Sequence, residues 1–185
     1  ILPLWAAAHG HRSFVAAFSD RAGQAEDHLA TFRKELDFNE YLRSDFPDLC
    51  EPLRSTTNGR AAAMSANRLH MKNGFVFDAN GIDTNALGKK VGNRRPDLII
   101  LDDIEKGEKN YSEYQAGQQK NTVFDDIAPM SLTAPMVFVG TTTMPNSVMD
   151  QFRKHHQGDE GDELKWITEQ NVQVHYFPAI MSNDD

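Results

Sequence analysis

The sequence predicts an α/β fold in which a mostly parallel central sheet carries helices on both faces, and three observations predict it. Two short apolar runs, Asp97 to Leu101 (DLIIL) and Met136 to Val139 (MVFV), lack the polar alternation of a half-solvated strand and read as strands buried on both faces. Strand-like and helix-like stretches alternate along the chain, the pattern of parallel sheets with crossover helices. An early segment places Ala25, Leu29, Phe32 and Leu36 at steps of 4, 3 and 4, the stripe of a helix packed on a core.

The elements follow in order. Ser13 to Phe18 (SFVAAF) is a short apolar run with β-branched and aromatic members, and Ser19 and Asp20 after it can cap the helix that carries the 25/29/32/36 stripe. Residues 68–71 and 75–79 flank Lys72, Asn73 and Gly74; Asn-Gly between alternating runs predicts a β-hairpin or an edge extension, because both residues tolerate positive φ. Phe75 and Phe77 alternate there and are assigned to the core. Residues 81–96, rich in glycine and polar groups, read as a loop. Ser112 and Gln115 stand in capping-box spacing before a helical pattern to Ile127 that puts Val123, Phe124 and Ile127 on one side. A helix over about 146–156 and a last strand over Val172 to Phe177 complete the prediction.

Size and composition set bounds on function. With 185 residues, 39% hydrophobic and 25% charged, the chain is a globular sequence of one domain, 1–185, with room for a small appendage. A lone cysteine, Cys50, excludes an intramolecular disulfide and a multi-cysteine zinc site. The longest apolar run, Ile1 to Ala8, is too short for a bilayer span, which takes about 20 residues, and lacks the basic start of a signal peptide. Because the chain opens on Ile1 inside apolar sequence, it reads as continuing something upstream.

Charge is uneven. Residues 1–60 carry 7 basic and 9 acidic side chains, residues 61–101 carry 6 and 3, and residues 102–185 carry 6 and 15, for a net charge of −8. The basic middle is either a local phosphate-contacting surface or ordinary solvated cations, and the bulk charge opposes a general nucleic-acid coat. The acidic run Asp159, Glu160, Asp162 and Glu163, with its glycines and no apolar flanks, reads as a solvated loop. His9 with His11, and His155 with His156, have no partner at zinc spacing.

The chemistry concentrates at Leu98-Ile99-Ile100-Leu101-Asp102-Asp103, followed by Ile104 and Glu105. Four apolar residues bury a strand, and two carboxylates appear where it emerges at its carboxyl end, the edge at which open α/β sheets bind ligands. A nucleotide hydrolase needs such a pair: one acid holds Mg²⁺ on the β- and γ-phosphates, and a second orients or deprotonates the attacking water. A solvated acidic turn would carry the same residues. Downstream, the Met136 strand ends in Gly140 and the hydroxyls of Thr141, Thr142 and Thr143, which can touch a γ-phosphate or the attacking water.

Taken together, RPDLIILDDIE at 95–105, VFVGTTT at 137–143 and, less specifically, FVAAFSDRAGQAEDHLATFRKELDFNEYLRSDFP at 14–47 resemble the ATPase region of the phage terminase large subunit, the motor that packages DNA into capsids. The resemblance runs through most of the chain. It implies an ASCE, RecA-like P-loop ATPase core with a β-hairpin extension, 1–185 being one partial ATPase domain. It also implies Asp102 as the Mg²⁺-associated Walker B acid, and Thr141 and Thr142 as coupling residues.

Two departures from the family pattern matter. The family commonly places glutamate directly after the Walker B aspartate; here Asp103 stands there, so the catalytic base is Asp103 by position or Glu105 by reach. No G-x-x-x-x-G-K-[ST] occurs: the Gly88-Lys89 pair is followed by Lys90, and Asp83 stands where the first glycine belongs. Ile1 to Gly10 resembles the end of the helix that follows the family's phosphate-cradling loop, so both that loop and the nuclease domain are expected outside these residues.

The resemblance implies ATP as substrate with Mg²⁺, in the cytoplasm of an infected bacterial host and without a membrane. Its partners are double-stranded DNA, a portal protein, a small terminase subunit and a homo-oligomeric ring. The 185 residues alone are expected to be inactive for lack of the loop. Arg94 and Arg95 precede the Asp97 strand, roughly 16 Å from the acid pair over five residues; an arginine finger acting in trans, a DNA contact and a structural anchor all remain open for them. The alternatives in function are a helicase-like ASCE ATPase and a non-catalytic assembly module that has lost nucleotide binding.

Overall fold

The computed structural model describes residues 2–54, 65–82, 93–105, 112–142 and 144–177. Most of the loop expected over 81–96, and Thr143, lie outside the described residues. The chain divides into two compact units, one of Ile1–Ile104 with Asn121–Gly140 and the other of Glu105–Lys120 with Thr141–Asp185.

The first unit is built on a five-stranded sheet. Its elements are α1 (Leu2–Ala8), β1 (Phe14–Ser19), α2 (Ala22–Phe38), α3 (Glu40–Asp45), α4 (Pro47–Cys50), β2 (Arg68–His70), β3 (Val76–Gly81), β4 (Leu98–Asp102) and β5 (Met136–Val139). The strand order is β2-β3-β1-β4-β5. β1 runs parallel to β3 and to β4, β4 runs parallel to β5, and β2 is antiparallel to β3. This is a mostly parallel α/β sheet, as the alternation of patterns predicts.

Each face of the sheet buries its own half of the alternating side chains. Val15, Phe77, Ala79 and Leu98 pack with Ala25, Leu29 and Leu36 of α2 and with Leu4 and Ala7 of α1. Phe32 joins them and meets the Phe77 ring edge-on at 4.9 Å between centroids. The other face holds Ala16, Phe18, Ile99 and Leu101 against Val123, Ile127 and Met130. Those last three come from a π-helical stretch, Thr122–Ile127, and a 3₁₀ turn, Ala128–Met130. The helix expected to run from 112 to 127 is therefore α-helical only over α5 (Glu113–Asn121).

In the turn between β2 and β3 only Gly74 of the Asn-Gly pair takes positive φ; Asn73 serves through its side chain instead. Gly74 takes φ +87°, and the Asn73 side chain accepts from the Phe75 amide at 2.9 Å. At the amino edge of the sheet, Asp97 clamps the start of β1: its carboxylate accepts from Ser13 N at 2.7 Å, Ser13 Oγ at 2.8 Å and Phe14 N at 3.0 Å. Cys50 is a buried free thiol whose pKa is pushed up by burial.

Three expectations are corrected. β5 is not buried on both faces; Met136, Val137 and Phe138 are half-buried and Val139 is 50% exposed, because among the described residues β5 pairs only with β4. Residues 172–177 form no strand, since no described strand lies beside them. Neither Ser19 nor Asp20 caps α2: β1 runs on through Ser19, paired with Gly81, and the N-cap is Arg21 without a side-chain bond.

The second unit contains α5, α6 (Val148–His156) and α7 (Lys165–Glu169), with a 3₁₀ turn at Asp162–Leu164. Ser112 and Gln115 cap α5 reciprocally: Gln115 Oε1 accepts from Ser112 N at 2.9 Å and Ser112 Oγ accepts from Gln115 N at 3.3 Å. Ser147 caps α6 by accepting from Asp150 N at 3.2 Å. Asp159, Glu160, Asp162 and Glu163 are exposed.

Candidate functional site

Parallel pairing fixes which residues meet at the carboxyl edge of the sheet. In β1 and β4, Phe18 lies opposite Leu101, and in β4 and β5, Asp102 lies opposite Val139. The chain therefore leaves β1 at Asp20 beside the point where it leaves β4 at Asp103. The Asp20 amide donates to the Asp103 carbonyl at 3.3 Å, and the Asp103 amide donates to the Val139 carbonyl at 2.9 Å. These two bonds tie three strand tips together around the acid pair.

Asp102 and Asp103 differ in exposure and backbone. Asp102 ends β4 with its side chain 35% exposed. Asp103 is exposed and adopts φ 45°, the left-handed region that Asp tolerates better than most residues. The reversal of φ turns the chain off the sheet immediately after β4.

Two further side chains join this edge: Asp20, which the sequence offered only as a helix cap, and His28, which it did not single out. The carboxylate of Asp20 is only 10% exposed; its Oδ2 takes the Arg21 guanidinium at 3.2 Å and its buried Oδ1 has no hydrogen-bond partner among the described residues. His28, on the second turn of α2, brings Nε2 to 3.4 Å from Asp102 Oδ2, with the imidazole 50% exposed. The signal for both was positional: in a strand-then-helix unit the residues just after the strand, and the first turns of the helix, lie at the carboxyl edge of the sheet.

The remaining predicted residues go elsewhere. Glu105 is buried, and its carboxylate oxygens accept from the first amides of α6, Val148 N at 2.6 Å and Met149 N at 3.3 Å. A carboxylate there complements the positive end of the helix. Arg94 and Arg95 lie at the amino edge, where Arg94 donates to the Gly74 carbonyl at 2.8 Å and Arg95 to the Met130 carbonyl at 2.7 Å. Thr141 and Thr142 follow Gly140 along the chain from β5 and are exposed.

The donors at the edge are hard carboxylate oxygens, which suit Mg²⁺. Among the described residues no group of three or more His, Cys, Asp or Glu side chains is placed to hold a metal ion. Mg²⁺ does not require such a cage; it is commonly held by one or two carboxylates together with waters and substrate phosphates. Asp102 and its neighbours fit that mode.

The fold and edge thus define an α/β protein with a five-stranded, mostly parallel sheet and an acid pair at its carboxyl lip. Compared with known protein families, curated proteins and solved structures, the chain matches none of them. No helix among the described residues is long and apolar enough to cross a membrane.

Proposed function

We propose that this chain is the ATPase core of a viral DNA-packaging motor of the terminase large-subunit type, a RecA-like P-loop core with a hairpin extension. One observation carries the reading: Asp102 and Asp103 stand where a buried parallel strand emerges, between the tips of β1 and β5, at the edge where open α/β sheets bind ligands.

In this reading Asp102 would hold the Mg²⁺ that accompanies ATP. Bound there, Mg²⁺ would supply neutralisation of charge developing on the phosphates. Asp103, exposed and turned off the sheet, orients the attacking water and takes its proton. Glu105 is the weaker candidate for the base, because its carboxylate is engaged at the start of α6. Thr141 and Thr142 are the residues to which the resemblance assigns coupling. Arg94 and Arg95 act as anchors of the amino edge, their guanidinia already donating to backbone carbonyls.

The phosphate-cradling loop comes from outside these 185 residues, which contain no Walker A sequence. Among the described residues β5 pairs only with β4, and a strand added parallel to its other edge would deliver its following loop to the carboxyl edge of the sheet. The motor works on double-stranded DNA through phosphate contacts, strongly salt-dependent and sequence-blind. It assembles as a ring with a portal protein and a small subunit in the cytoplasm of the infected bacterial host.

The missing Walker A sequence favours a second reading, a non-catalytic assembly module. Expressing the complete reading frame that contains these residues and measuring Mg²⁺-dependent ATP turnover, with and without duplex DNA, separates the two. A motor turns over ATP, faster on DNA, and loses turnover in Asp102→Asn. Absence of turnover in a folded protein supports the module.

A further inference from the structure

The second unit carries a cleft of about 360 Å³, near the lower end of the roughly 300–1,000 Å³ of small-molecule sites. Among the described residues Gly117, Lys120, Asn146, Gln151 and Glu163 line it, all of them within that unit. Its walls are held from behind. Gln151 is buried; its Oε1 accepts from Trp166 Nε1 at 2.7 Å and its Nε2 donates to the Asn146 carbonyl at 2.9 Å. Asn146, at φ 63°, is fixed further by its amide, which donates to Asp150 Oδ2, and by its Oδ1, which accepts from Lys154 Nζ, both at 2.9 Å. Gly117, inside α5, has no positive φ, and a Cβ there would meet no atom within 4 Å. Neither backbone nor packing calls for glycine at this position, and glycine weakens a helix interior relative to alanine. What it does is leave the cleft open.

Two opposite charges face this cleft. The half-buried Lys120 ammonium lies 5.4 Å from the centroid of the Trp166 ring, and the Glu163 carboxylate lies in the space that a Cβ on Gly161 would take. Neither is in an ion pair, with the other or with any further described residue. A lone anion is repelled by Glu163 and a lone cation by Lys120, so the charge pattern selects a ligand that carries both signs. We propose that the cleft binds a small zwitterion of the amino-acid class, with its carboxylate on Lys120 and its ammonium on Glu163. The proposal is independent of the chemistry assigned to Asp102 and Asp103.

L-serine is the probe, titrated into the 185-residue chain while the indole Nε1–H signal of Trp166 is followed by NMR; Trp5→Phe assigns that signal. L-serine shifts it saturably. Acetate and ethylammonium, each with one of the two charges, bind about tenfold more weakly or worse, the scale of a lost hydrogen bond to a charged group. Lys120→Met and Glu163→Gln each weaken L-serine binding by about the same factor. Gly117→Leu fills the floor of the cleft and abolishes the shift while the chain stays folded, because leucine favours a helix over glycine; an unchanged circular dichroism spectrum verifies that. No saturable shift with L-serine overturns the proposal, as does binding that survives in Gly117→Leu. Acetate or ethylammonium binding as tightly as L-serine, or full affinity in Lys120→Met or Glu163→Gln, overturns the two-charge recognition.

Discussion

The Asp103 amide donates to the Val139 carbonyl at 2.9 Å while Asp103 itself sits at φ 45°. The tips of β4 and β5 are thus joined through a residue in the left-handed region, which costs an L-residue on the order of 1 kcal/mol. Glycine adopts that region freely. Asp103→Gly is expected to keep the bond to Val139 and leave the unfolding midpoint within a few degrees of wild type, while removing the carboxylate. Thermal unfolding followed by circular dichroism checks this, and a large drop in Tm would show that the Asp103 side chain is structural.

Asp97 does the corresponding work at the opposite edge. Its carboxylate gathers three hydrogen bonds from Ser13 and Phe14, which aligns the start of β1 with β4. Asp97→Ala strands the Phe14 amide in a part-buried setting and is expected to cost about 2–3 kcal/mol. Asp97→Asn, which keeps an acceptor oxygen, should cost less. Urea titration of both variants gives the difference.

Glu105 illustrates how a residue with a catalytic pattern can be engaged structurally. Its two bonds to the first amides of α6 predict that Glu105→Ala lowers stability by about 1–2 kcal/mol. Denaturant unfolding monitored at Trp166, whose indole donates to Gln151 Oε1 of α6 at 2.7 Å, reads that change.

Two groups predict a loss of stability on acidification, in different windows. Burial pushes the Asp150 carboxyl up, but hydrogen bonds from Arg153, the Asn146 amide and Lys154 outweigh it and hold the pKa below the ordinary value. The stability Asp150 contributes is therefore complete above the unfolded-state value of about 3.9 and is lost as pH falls below it. His70 has its pKa lowered by burial and by the nearby Arg94 and Arg68. The unfolded chain takes up that proton more readily, so stability begins to fall below about pH 6.5. Urea midpoints at pH 7, 5 and 3 should decline stepwise; His70→Gln flattens the first step and Asp150→Asn the second.

Much of the first unit was legible because its signals are local. The stripe of Ala25, Leu29, Phe32 and Leu36 depends only on helical spacing, the Asn73-Gly74 turn only on backbone preference, and the Ser112/Gln115 box only on adjacency. The DLIIL run announced a buried strand because β4 has neighbours on both sides. The equally apolar MVFV run announced the same and misled, since an apolar run reports side-chain character and not how many strands lie alongside. Residues 172–177 misled for a related reason: alternation predicts extended backbone, and a strand also needs a partner far away in sequence. Of the site, Asp102 and Asp103 were legible from the end of the strand. Asp20 and His28 were not, because their approach to the pair depends on the parallel pairing of β1 with β4 and on the rotation of α2. Glu105 stood behind Asp103 as the alternative base, and its engagement with the first amides of α6 could not be read from the sequence.

The account stands on two neighbouring acids having separate chemical roles at the end of β4. Steady-state ATP hydrolysis by the complete reading frame, comparing wild type with Asp103→Asn across a range of ATP concentrations, tests that most directly. The account predicts a fall in kcat of about a hundredfold or more, the scale of a general base, with KM for ATP nearly unchanged because Asp102 still holds the cation. An Asp103→Asn protein that hydrolyses ATP at the wild-type rate would contradict it.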